Sequence, residues 1–216
     1  MDTCGICSQQ ISTCGCMTAE MLRAKCAGLY KLVYYRQEKT YPVQNRLIYR
    51  LKRERDVRAA TFVASELKPT LKRVMERERI LPERTVVTYL PRAAAPRLQS
   101  GTDQARELAK AISVETAIPL ERLIQRGLLR GKQQKRLTFA KRLQNAKATY
   151  RVKKGVDLRG RDVFLVDDVV TSGAGMAVCT RLLRKGGAGR VFCLSVAIDD
   201  IQREGDGAPP QSKERG

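Results

Sequence analysis

The stretch VFLVDDVVTSGAG, residues 163–175, runs four apolar residues into two adjacent aspartates and then into a loop of small and hydroxyl-bearing residues. A continuous apolar run of that length is expected of a strand buried on both faces. GMAVCTRLLRK (175–185) follows with helical character, closed by Gly186 and Gly187, a pair suited to a helix C-terminus. RVFCLSVA (190–197) is the next buried strand. Strand, helix, strand with all-apolar strands implies a parallel sheet covered by helices, an α/β fold. In open sheets of that class ligands bind beyond the carboxyl ends of the strands. The sequence places Asp167 and Asp168 there.

The residue types around that point suit one ligand chemistry. Glycines let backbone N–H groups approach an anion closely, and a helix N-terminus adds the positive end of its dipole. Thr171 and Ser172 add hydroxyl donors, so Thr171, Ser172, Gly173, Ala174 and Gly175 suit a phosphate. Ionised aspartates only accept hydrogen bonds, which suits the hydroxyls of a sugar. Together they describe a site for a phosphorylated pentose. The bland alternative, a buried strand ending in a solvated acidic turn, explains the acid pair but not the whole pattern. Other nucleotide motifs fit less well. No G-x-G-x-x-G follows a strand, and GLLRGKQ (127–133) is one residue short of a Walker loop and lacks its Ser or Thr.

Working outward, LYKLVYY (29–35) reads as a short strand and VQNRLIYRLKRER (43–55) as a helix. AATFVASELKPTLKRVMERERI (59–80) is expected to be helical but interrupted or restarted at Pro69. TVVTYLP (85–91) is a strand stopped by Pro91, and a loop follows it. Asp103 is expected to N-cap a short amphipathic helix, QARELAKAI (104–112). The tail from Gln202 is polar, rich in Gly and Pro, and expected to be disordered. The expected divisions are a Cys-rich head over 1–28, a main domain over 29–201 and a tail over 202–216.

Composition narrows the function. The chain has 216 residues, 42 Lys or Arg against 22 Asp or Glu, a formal charge of +20, and no His. The absence of His removes a catalytic His, a His metal ligand and a Ser-His-Asp triad. The charge favours polyanionic partners: phosphorylated metabolites, nucleic acid or an anionic surface. Residues 122–161 alone hold fourteen Lys or Arg and one acid. That density reads as an anion-contacting surface, with single-stranded DNA a candidate and a solvated helix face the alternative. Phe139 and Tyr150 are its candidate stacking residues. No apolar run is long enough to span a bilayer and no secretory pattern is present, so a cytoplasmic location is expected.

Five of seven cysteines fall in the first 26 residues. In a reducing compartment such a cluster reads as metal-binding. Cys4 and Cys7 have the spacing of a tetrahedral zinc half-site. Cys14 and Cys16 are the expected second half, with Cys26 able to replace one of them. A knuckle that binds no metal is the alternative. Cys179 and Cys193 are expected in the core.

VFLVDDVVTSGAG resembles the phosphoribosyl pyrophosphate (PRPP) motif of the type I phosphoribosyltransferases, although such loops end in Thr or Ser where this chain has Gly175. Within that superfamily the chain is similar to the ComF competence family. The Cys-rich head resembles its zinc ribbon. LVYYRQEKTYPVQNRLIYRLKRERD (32–56) resembles its Tyr-rich strand and helix ending in a Leu-Lys pair. LPRAAAPRLQSGTDQARELAKAI (90–112) resembles its Pro-initiated loop. LLRGKQQKRLTFAKRLQNAKATYRV (128–152) resembles its Arg-x-x-Asn segment, here Arg142 and Asn145. Thr102 and Ser100 depart from the aromatic and the Arg of that family; Arg92 and Arg97 are candidate replacements for the lost cation, with solvated loop charge as the alternative.

The resemblance implies a phosphoribosyltransferase-like core in which Asp167 and Asp168 hold ribose hydroxyls and residues 171–175 hold the 5′-phosphate. It also implies that Pro91 and Arg92 belong to a pyrophosphate loop. Mg²⁺ would arrive with PRPP, and Zn²⁺ would be structural in the head. Transferases of this type stabilise a ribosyl cation as pyrophosphate leaves, so a chain without His suffices. The implied setting is DNA uptake, with single-stranded DNA and competence or recombination proteins as partners. The alternative is a non-catalytic basic nucleic-acid-binding accessory on the same scaffold, because fold does not dictate function.

Overall fold

Apolar strands buried on both faces organise the chain. The computed structural model describes residues 16–35, 57–92, 103–127, 144, 146 and 148–199. Cys4, Cys7, Cys14, Arg97, Ser100, Thr102, Phe139, Arg142, Asn145, the expected helix over 43–55 and the tail over 202–216 lie outside those residues. In chain order the elements are α1 (Ala19–Arg23), β1 (Gly28–Tyr35), α2 (Val57–Arg77), a 3-10 turn (Pro82–Arg84), β2 (Thr85–Tyr89), α3 (Gln104–Thr116), β3 (Ile124–Arg126), β4 (Tyr150–Val152), β5 (Asp162–Val170), α4 (Ala174–Lys185) and β6 (Val191–Asp199).

The fold is α/β with a parallel sheet. β1, β6, β5 and β2 form four parallel strands in that order, and β3 pairs with β4 antiparallel. Alternate residues of each strand feed two cores. Phe164, Val166, Phe192 and Leu194 face α2 and α3, where Val63, Leu67, Leu71, Leu108 and Ile112 are fully buried. Val163, Leu165, Val191 and Cys193 face the other way, onto α1, α4 and the β3–β4 pair.

Two local expectations are corrected. α2 runs unbroken from Val57 to Arg77 with Pro69 inside it. A proline there removes one helical hydrogen bond and costs about 3 kcal/mol. Val63, Ala64 and Leu67 before it and Leu71 and Val74 after it pack into one core, and that shared burial outweighs the lost bond. Asp103 flanks α3 without capping it: its side chain makes no cap bond. Its carboxylate instead accepts the backbone N–H of Arg92 at 3.4 Å, so it anchors the chain leaving β2.

Cys179 and Cys193 are buried, as their sequence context implies. Cys26 joins them. Its sulfur lies 3.2 Å from Thr180 Oγ1 and 3.7 Å from Cys193 Sγ, which makes it a residue of the second core. The Cys26 contact and burial push the Cys193 thiol well above its ordinary range, and burial does the same at Cys179.

Candidate functional site

β5 does not stop at Val166. It continues through Asp167 and Asp168 to Val170, so the acids belong to the last part of the strand. The alternation of faces slips there. Val166 and Val169 both pack on the first core, while Val170 packs on the second. Across that slip each carboxylate turns onto the backbone after it. Asp167 Oδ1 accepts the N–H of Asp168 at 2.9 Å, and Asp168 Oδ1 accepts the N–H of Val169 at 2.8 Å. These bonds fix both carboxylates at the strand's carboxyl end.

The neighbouring strand supplies the counter-charge. The backbone N–H of Leu90 donates to the carbonyl of Val166 at 2.9 Å, which extends the β2–β5 pairing past Tyr89. Pro91 is buried, and Arg92 follows at the rim. Arg92 Nη2 stands 3.3 Å from Asp168 Oδ2. Arg92 is thus brought to the acid pair across 76 positions of sequence, at Asp168.

Asp167 sits in a demanding position. Burial pushes its acid well above the usual carboxylate range, the charge of Asp168 adds to this, and Arg92 pulls the other way. Asp167 as a residue is half-buried, and that contact with solvent tempers the shift. Its cross-strand partner on β6 is Ser195, whose own partner on β1 is Lys31. One rung of the sheet therefore reads Lys31, Ser195, Asp167 on a face otherwise lined by Leu29, Cys193 and Leu165. Lys31 is 1% exposed and donates Nζ to the carbonyls of Cys16 at 2.9 Å and Leu29 at 3.3 Å. Ser195 Oγ is buried with no hydrogen-bond partner among the described residues.

The loop after β5 folds as the glycines require. Gly173 has φ +69° and opens α4. A Cβ on Gly173 would stand 2.6 Å from Thr18 Oγ1 and 3.1 Å from Met21 Sδ, so α1 and the residue before it form the loop's back wall. Thr171 is exposed and Ser172 is buried. The N–H of Ala174 points at Ser172 Oγ across 3.5 Å, a long contact that leaves the first turn of α4 weakly capped. The first turn carries no acid. Its N–H groups have no helical partner by geometry, and the dipole end they form attracts an anion.

Two residues that the sequence reading did not place at this point stand beside it. Tyr150 on β4 is 9% exposed, and Arg126 on β3 lies over its ring, 5.4 Å from the centroid. That arrangement covers the ring face, so Tyr150 is not a free platform for stacking a base. The signal that could have found the pair is their cross-strand register, which only a hairpin assignment would have supplied. For zinc, Cys16 is the only described member of the expected four. No group of three potential metal-binding residues occurs among the described residues. No described helix is long and apolar enough to cross a membrane.

Neither a known protein-family profile nor a curated protein sequence matches the chain. Solved structures do resemble it. Glutamine phosphoribosylpyrophosphate amidotransferase from B. subtilis, complexed with ADP and GMP, is 20% identical over 51% of this chain, with TM-score 0.34. The chain spans 22% of that longer protein. Purine phosphoribosyltransferase from Pyrococcus horikoshii Ot3 is 15% identical over 78% of this chain and 77% of its own, with TM-score 0.33. Adenine phosphoribosyltransferase from Leishmania tarentolae is 17% identical over 68% of this chain and 76% of its own, with TM-score 0.36. The α/β assignment rests on the parallel sheet and its two helical layers, not on these likenesses.

Proposed function

We propose that the chain binds PRPP or another ribose 5-phosphate group at the carboxyl end of β5, as a phosphoribosyltransferase-family protein. The observation that carries this reading is the joining of three features in one strand–loop–helix unit. An acid pair is fixed by its own backbone bonds, Arg92 stands at 3.3 Å from one acid, and a left-handed glycine opens α4 with no acid in its first turn. Asp167 and Asp168 take the ribose hydroxyls. Residues 171–175 take the 5′-phosphate. Pro91 turns the chain so that Arg92 meets the pyrophosphate side.

Magnesium suits the hard carboxylate oxygens of the acid pair and is brought by the pyrophosphate. If the protein is a transferase, its residues act by orienting the sugar and holding charge as pyrophosphate leaves. The ComF-like setting of DNA uptake and a structural zinc held by Cys4, Cys7, Cys14 and Cys16 are the finer parts of the proposal. They rest on the sequence resemblance alone.

A second reading, a basic single-stranded nucleic-acid binder on the same scaffold, is favoured by the charge of +20. Thermal unfolding separates the two. Ribose 5-phosphate, but not ribose, is expected to raise the melting temperature. Stabilisation by single-stranded DNA only, abolished by salt, supports the second reading and contradicts the first.

A further inference from the structure

Gly175 carries no hydroxyl, yet the hydroxyl of Tyr150 stands near it. A Cβ on Gly175 would lie 3.8 Å from Tyr150 Oη and 2.8 Å from Leu90 Cδ2. Gly175 belongs to the first turn of α4, so the phenol stands beside that turn. Arg126 Nη1 donates to that oxygen at 3.4 Å. A hydroxyl accepts through its lone pairs and donates once, so the bond from Arg126 leaves the phenol proton for another acceptor. Among the described residues, the bond from Arg126 is the only one given to the Tyr150 hydroxyl. Burial pushes the phenol proton well above its usual range; Arg126 pulls the other way, while Cys179, Asp167 and Asp103, the other titratable groups facing it, add to the rise. The hydroxyl is therefore a neutral donor at every physiological pH.

We infer that Tyr150 and Arg126 form the second wall of the anion site, the phenol donating to a terminal phosphate oxygen and the guanidinium adding a cation behind it. This rests on the phosphoribosyl reading and deepens it, because it selects for a phosphate monoester. A monoester gains its second negative charge near pH ~6, and a cation rewards that second charge, whereas a neutral loop of N–H donors rewards it less. Tyr150 and Arg126 are thus specificity residues carried on the β3–β4 pair, outside the loop motif.

The test is calorimetric titration of ribose 5-phosphate into the full chain between pH 5 and pH 8, with ribose as control. Wild type is expected to bind more tightly as the phosphate becomes a dianion. Tyr150→Phe keeps the ring and its packing, and is expected to weaken binding about tenfold, the loss of one hydrogen bond to a charged group. Arg126→Gln is expected to flatten the pH profile, and Arg126→Lys to restore its slope. A merely structural pair would lower affinity equally at every pH. Folded variants that bind within twofold of wild type with an unchanged profile overturn the inference and leave the phosphoribosyl reading standing. A wild type that does not bind at all overturns both.

Discussion

At the scale of the residue, the acid pair is the point of greatest tension. An acid whose folded value is raised is protonated more readily in the folded state. Its stabilisation is present below the ordinary carboxylate range near pH ~4 and is lost as pH climbs through the raised value. Asp167 is raised by burial and then by Asp168, so it destabilises the protein at neutral pH. Asp167→Asn keeps an oxygen for the N–H of Asp168 and removes the charge. We expect its melting temperature to exceed that of wild type by about 3 °C or more at pH 8, the two converging near pH 4. Equal melting temperatures across that range would contradict the account. Ser195 offers a simpler case. Its Oγ is buried without a described partner, so Ser195→Ala is expected to be neutral or stabilising by about 1 kcal/mol in denaturant titration. Gly173→Ala should cost about 1–2 kcal/mol from its left-handed backbone alone, before the contact with Thr18.

The element scale shows what sequence pattern conveys and what it omits. β5, α4 and β6 were legible because apolar runs and a Gly-Gly stop are local signals. α2 was legible as a helix but not as a continuous one. The missing N–H of Pro69 is a local signal, while burial of Leu67 and Leu71 on one core is a tertiary effect. Pro69 is exposed, so Pro69→Ala restores a bond without disturbing the core. We expect a rise in stability of about 1–3 kcal/mol, read by chemical denaturation; a fall would mean that the helix is held in a shape only proline permits. Asp103 teaches the converse. Its place before α3 is that of a cap, but the carboxylate goes to Arg92, a partner eleven residues back that no capping pattern contains. The Tyr150–Arg126 pair was equally out of reach, because Tyr150 meets Gly175 only once β4 packs against α4.

For the whole molecule, one sheet end gathers what the chain separates. Arg92 follows β2, the acids lie in the last part of β5, Gly173 opens α4 against Thr18, and Tyr150 stands beside the first turn of α4. The acid pair and the loop were visible in thirteen consecutive residues; their counter-charge and walls come from four other segments. The excess of positive charge adds a long-range attraction for anions that salt screens beyond about 10 Å at 0.1 M, so nucleic-acid binding through it must weaken steeply with salt, while a phosphate seated in the loop is less affected. The most direct measurement is calorimetric titration of PRPP with magnesium into the wild type and into the Asp167→Asn, Asp168→Asn double variant, at two salt concentrations. The account predicts saturable binding by the wild type that survives added salt and is lost in a folded double variant. Binding retained by the double variant, or no PRPP binding by the wild type, would contradict it.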